Sequence, residues 1–154
     1  MKELSESEFR AAIVEEAKRW LRTPYKNTGC IRGVGTNCAM LLWGVASCAG
    51  VLAPDAPAPR WYTPQLHVHS KDERLIEYVK SYGAREVDEP KPGDIVVYLS
   101  GQSHGHAGIV IQWPDLIVHT LPNIGCCYAH GIKEGRLAGM TRRYFSLWAG
   151  IKTE

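Results

Sequence analysis

The hydrophobic period of this chain changes once, at Pro90-Lys91-Pro92-Gly93. Before that point apolar residues recur at helical spacing; after it they follow strand-like patterns. Helices first and strands afterwards, the strands joined by hairpin-length links, predict an α+β fold with helices packed on an antiparallel sheet.

The helical half divides into three segments. Ser5 and Glu8 have the spacing of a capping box, and Phe9, Ile13, Ala17, Trp20 and Leu21 continue it. They predict a helix of roughly four turns that ends at Thr23-Pro24. A glycine-rich loop spans 25–37. From Cys38 to Ala49 the chain is apolar nearly all round, as a buried central helix is, with Thr36 or Asn37 as its N-cap and Gly50 closing it. Pro54, Pro57, Pro59 and Pro64 predict an extended surface loop carrying Trp61 and Tyr62. Asp72–Tyr82 reads as a third helix with Gly83 just past its end.

In the second half, 94–99, 106–111 and 116–120 read as strands, the last two joined into a hairpin by Trp113-Pro114-Asp115. A weaker strand is expected near 126–130, and Tyr144–Gly150 is expected to close the sheet.

At 154 residues the chain accommodates one domain, 1–154, with a hydrophobic core. The net charge of +2 is shared evenly between the halves, which leaves no electrostatic footprint for nucleic acid. No run of eighteen apolar residues occurs, so no membrane span is expected, and Met1-Lys2-Glu3-Leu4 lacks the apolar segment of a secretory signal. The expectation is a cytoplasmic or particle-borne protein. Five irregularly spaced cysteines make a poor disulfide framework, so reduced thiols are expected, one of which can be chemical.

Cys38 is that candidate. A helix start favours negative charge on its sulfur, and the first-turn amides can receive an oxyanion. A cysteine nucleophile needs a base, and the base an orienting partner. His106 and His119 flank the hairpin turn almost symmetrically, which predicts neighbours across the ladder.

Thr23-Pro24-Tyr25, Gly35-Thr36-Asn37-Cys38-Ala39, Pro92-Gly93-Asp94-Ile95-Val96, His106-Ala107-Gly108-Ile109 and Val118-His119-Thr120 together resemble the NlpC-type papain-like cysteine peptidases. Those enzymes cleave bacterial cell-wall peptides, and small versions occur in phage tails. The resemblance spans about residues 8–120 and rests on five motifs in order. It implies a helix-packed antiparallel sheet with the cysteine at a helix start. Cys38 would be the nucleophile, His106 the general base and then acid, and His119 the group orienting His106. Tyr25 would lie near the nucleophile. The implied partner is a peptidoglycan peptide substrate, with no cofactor and no metal.

The chain departs from the family at Asn37 and Ala39, where Asp and Ser usually stand and help hold a substrate ammonium. Losing that partner costs about 1.5–3 kcal/mol of a charge-assisted hydrogen bond, so a different bond or a substrate without a free amine is expected. No wall-binding module is recognisable, so targeting falls to a partner such as a phage tail. An inactive tail or assembly component with the same fold is one rival reading; a thiol acyl hydrolase or transferase on a non-wall substrate is another.

Blander roles compete at single residues. Cys38 could be a small core residue, and Cys48 reads as core. Cys30 sits in the loop, open to oxidation. A zinc site from Cys126, Cys127, His119 and His130 is disfavoured, because adjacent strand cysteines point to opposite faces and no Cys-x-x-Cys occurs. His104 reads as a solvated loop residue beside His106, with substrate contact as its alternative. Trp61 and Tyr62 either line a groove or pin their loop. Lys133, Arg136, Arg142 and Arg143 read as one solvated face.

Overall fold

The computed structural model describes residues 3–59 and 71–152. Trp61 and Tyr62 lie outside them. Helix α1 (Glu6–Arg19) opens with the expected capping box: the Glu8 amide donates to Ser5 Oγ at 3.1 Å and the Ser5 amide to Glu8 Oε1 at 3.0 Å. Such a cap contributes about 1 kcal/mol. The helix ends before Thr23-Pro24, with Trp20 as C-cap and Arg22 at a φ of 72°. The reason is competition for the backbone: the Arg22 amide donates to the Cys126 carbonyl at 2.9 Å, and the Cys126 amide to the Thr23 carbonyl at 2.8 Å. Segment 22–23 therefore lies against a strand instead of continuing the helix.

Helix α2 (Cys38–Cys48) is capped by Asn37, not Thr36, and buries Ala39, Leu41, Leu42, Val45 and Ala46 in the core. Gly44 lets α1 come close, since a Cβ there would stand 2.7 Å from the Trp20 ring. Cys48, expected in the core, is exposed, because the last turn of α2 runs past the elements that cover the rest. Helix α3 (Arg74–Ser81) buries Leu75, Ile76 and Val79, and Gly83 follows it at a φ of 96°.

The sheet comprises β1 (Arg85–Val87), β2 (Ile95–Ser100), β3 (Ser103–Gln112), β4 (Leu116–Leu121), β5 (Gly125–Ala129) and β6 (Arg142–Ser146). They lie in the order β1-β6-β2-β3-β4-β5, every pair antiparallel. The short β1 had no signal of its own in the sequence. The expected closing strand over 144–150 stops at Ser146 and turns into helix α4 (Leu147–Lys152). Ser146 Oγ accepts the Ala149 amide at 3.1 Å, and Trp148 packs on Phe9 with ring centroids 5.4 Å apart.

Both sheet faces are covered. Val97, Ala107, Ile109, Val118 and Phe145 pack against the helices, while Val96, Tyr98, Val110, Ile117 and Ala129 form a second cluster with Leu137 on the other side. The Pro92-Gly93-Asp94 turn is bolted to α1: Arg10 donates to Asp94 Oδ1 at 2.7 Å and to the Pro92 carbonyl at 3.0 Å. Asp94 is buried, so this ion pair fixes the start of β2 relative to the helices.

The four basic residues do not share a face. Arg143 makes a two-toothed pair with Glu86 at 2.7 Å, Arg142 is half-buried, and Lys133 and Arg136 stand in the exposed 133–136 segment.

Candidate active site

Cys38 opens α2 and is buried, its Sγ 3.5 Å from the Gly105 carbonyl oxygen. The positive end of the helix dipole falls on it. What holds the helix start in place is Asn37, whose Oδ1 accepts the Met40 amide at 2.9 Å while Nδ2 donates to the Asn27 carbonyl at 3.0 Å. An aspartate could accept from Met40 but would set a carboxylate oxygen against the Asn27 carbonyl. Asn37→Asp is therefore expected to destabilise the fold by about 1–2 kcal/mol in chemical denaturation, in spite of the favourable dipole term. A more stable variant would show that the Asn27 contact counts for little. Asn37 and Ala39 are both buried, the first occupied by the protein's own backbone and the second by the core.

Tyr25 reaches the site through a parallel bridge to Thr36, reinforced by the Lys26 amide donating to the Thr36 carbonyl at 3.0 Å. Burial, with the neighbouring Cys38 adding to it, pushes the Tyr25 phenol up to about 12. The hydroxyl stays protonated and remains a hydrogen-bond donor.

The histidines are placed by an irregularity in β3. Pairing with β2 passes from Tyr98↔His106 to Leu99↔His104, which leaves Gly105 as the extra residue of a bulge. Bulges re-aim neighbouring side chains. Here the bulge turns the Gly105 carbonyl to Cys38, one residue before His106. His106 Nε2 lies 3.0 Å from His119 Nδ1, the rings edge to face at 74° with centroids 5.2 Å apart.

The two are neighbours across the ladder, as the hairpin symmetry predicted, and they meet diagonally. Ile109 pairs with Val118 and a second bulge shifts the register near the turn, so His119 stands across from Gly108. A Cβ at Gly108 would meet Ile117 Cδ1 at 2.9 Å and His119 Cβ at 3.6 Å. The glycine thus keeps clear the strip across which the rings meet, a role the sequence reading did not assign to it. His119 is buried, and burial, aided by the Arg136 cation, lowers it to about 4. At neutral pH it is an uncharged imidazole with one donor and one acceptor. Beside His106 the Tyr98 ring lies 5.9 Å away, its hydroxyl donating to the Gly131 carbonyl at 2.7 Å.

His104 is not a solvated loop residue. It belongs to β3, on the helix side, and Glu73 grips it twice: the carboxylate lies 2.8 Å from Nδ1 and accepts the His104 amide at 3.1 Å. Glu73 immediately precedes α3 and was missed, since nothing in the sequence links it to a residue 31 positions away. Trp61 lies outside the described residues. Cys126 and Cys127 do point apart, Cys126 into the helix-side core and Cys127 to the opposite face. The five cysteines form no disulfide.

The arrangement brings a buried thiol, an imidazole pair and a protonated phenol to one end of the sheet. It can supply a sulfur nucleophile, a proton carrier and a hydrogen-bond donor to a polarised carbonyl. No protein-family model and no curated protein matches the sequence. Among solved structures, the chain is similar to the crystal structure of the NlpC/p60 domain of the peptidoglycan hydrolase SagA, with 17% identity and a TM-score of 0.55 over 87% of this chain and 96% of that one. That likeness establishes the fold expected from the motifs, a papain-like α+β arrangement of helices on an antiparallel sheet.

Proposed function

We propose that the protein is a cysteine hydrolase that cleaves an amide bond in peptidoglycan-derived peptides through a thioester. The observation that carries this reading is the 3.0 Å ring-to-ring contact of His106 with His119, directly following the Gly105 carbonyl that meets the Cys38 sulfur. The wall-peptide substrate is supported by the likeness to a peptidoglycan hydrolase domain.

In the proposed reaction His106 takes the Cys38 proton and the sulfur attacks the amide carbonyl. The oxyanion is met by the Cys38 amide and the Tyr25 hydroxyl. The carbon–nitrogen bond then breaks, His106 returns the proton to the departing amine, and the acyl group stays on sulfur as a thioester. Water, deprotonated by His106, attacks the thioester and restores the thiol. Protonated His106 has to donate through both ring nitrogens, and a neutral His119 offers its Nδ1 lone pair to one of them.

The buried positions of Asn37 and Ala39 favour a substrate without a free amine at the acyl end, since neither side chain is open to hold an ammonium. Incubation with purified muropeptides tests the reading. Release of one amine per bond cut, with an acyl adduct trapped on the Cys38 peptide and found by mass spectrometry, is the expected result. Intact muropeptides after prolonged incubation would overturn it.

A further inference from the structure

The Gly105 bulge brings the β3 backbone to Cys38, and two residues with no part in the proposed chemistry hold its edge. The Glu73 carboxylate lies 2.8 Å from His104 Nδ1 and accepts the His104 amide at 3.1 Å. A carboxylate only accepts, so Nδ1 carries the ring proton and donates this hydrogen bond. Both contacts fall on the residue that precedes the Gly105 carbonyl, itself 3.5 Å from Cys38 Sγ, and that stands two before His106.

Neither residue is used as its own element favours. Glu73 is the N-cap of α3 but makes no side-chain cap; its carboxylate serves β3 and not the first turn of its helix. The His104 side chain is 12% exposed, and among the described residues its Nε2 is buried with no hydrogen-bond partner. An aliphatic side chain would fill that place without leaving a ring nitrogen unsatisfied. Local rules are broken in this way where a site needs the resulting geometry. What the pair controls is register. Leu99 pairs with His104 and Tyr98 with His106; without the bulge Leu99 would face Gly105, and His104 would move to the sheet face that carries His106. The Gly105 carbonyl would return to the plane of the sheet, away from the thiol on α2.

We infer that Glu73 and His104 are positioning residues for the proposed hydrolysis, on which this inference rests: together they hold the Gly105 bulge and so fix where the Gly105 carbonyl and the His106 backbone stand relative to Cys38. They act through the backbone of 105–106 and transfer no proton. Glu73, at the entry to α3, ties the bulge to the helical layer that also carries the thiol.

Glu73→Ala in the intact chain removes both contacts, and a misplacement of about 1 Å at reacting groups lowers a rate by about 10²-fold. A loss of that size in kcat per folded molecule is expected on the muropeptide that the wild-type protein cleaves, with KM little changed. Iodoacetamide labelling of the Cys38 peptide, followed by mass spectrometry, should slow by at least about tenfold as the thiol loses its base. Glu73→Gln keeps both contacts once the ring tautomer flips, its oxygen accepting the His104 amide and its NH2 donating to Nδ1, so it should recover most of the rate. His104→Ala loses only the ring contact, and combined with Glu73→Ala its kcat loss should be less than multiplicative, as for two ends of one contact. A wild-type kcat per folded molecule in Glu73→Ala, no recovery in Glu73→Gln, or multiplicative losses in the double variant would overturn the inference and leave the hydrolase reading standing. Uncut muropeptides, with Cys38 labelling slowed in Glu73→Ala and restored in Glu73→Gln, would overturn only the hydrolase reading.

Discussion

Cys38→Ala will lower kcat/KM on the muropeptide that the wild-type protein cleaves by at least about 10⁴-fold, because removing a covalent nucleophile removes the route and not merely a contact. The substitution deletes one buried sulfur, so the fold should lose no more than about 1–2 kcal/mol, and denaturation curves will separate lost chemistry from lost structure. Cys38→Ser should fare nearly as badly, since a hydroxyl at a helix start is far less readily ionised than a thiol. If Cys38→Ala kept a tenth of the wild-type rate, the thioester route would fail and the imidazole pair would have to act on water directly. Loss of activity with unchanged affinity for substrate would also set aside the purely binding role for this fold.

Much of this site was legible because local rules point the same way as the fold. A capping box, an apolar run opening at Cys38 behind a glycine-rich loop, and a turn between alternating segments each have a local cause, and each stands in the structure where expected. What was not legible depends on register and long-range company. The Gly105 bulge has no sequence signature beyond a glycine among histidines, yet it puts His104 on the helix side and turns a carbonyl to Cys38. Hairpin symmetry brought His106 and His119 together but could not reveal that they meet diagonally across Gly108. Glu73 is found only by folding, because its partner lies on another element. The apolar run through Phe145, Leu147 and Trp148 suits a strand or a helix equally well, and the Ser146 hydroxyl that accepts the Ala149 amide favours the helix. Cys48 shows the limit of an all-round apolar pattern: such a helix is buried only as far as its neighbours extend.

His119→Ala should produce two separable effects. The first is on stability. In the folded chain His119 titrates at about 4, held down by burial and by the Arg136 cation, against an ordinary value of 6.5. As pH falls below 6.5 the unfolded chain gains a proton that the folded chain refuses, so stability drains away until about pH 4 and the loss then levels off. The full loss is about 3 kcal/mol. Carboxylates titrate in the same window, so the quantity to measure is the difference between wild type and variant: His119→Ala is less stable at pH 7, and its deficit shrinks as pH falls from 6.5 to 4. A constant deficit over that range would show that His119 titrates in the fold as it does in water. The second effect is on turnover. His119 touches His106 at 3.0 Å and acts through it, so the alanine variant should lose about 10²–10⁴ in kcat with KM little changed. His119→Asn, which can offer an oxygen to His106, should regain part of that rate while lacking the pH-dependent stability term. A merely structural histidine would give the opposite split: asparagine would rescue neither kcat nor the orientation of the base, and turnover would follow the fraction of folded protein.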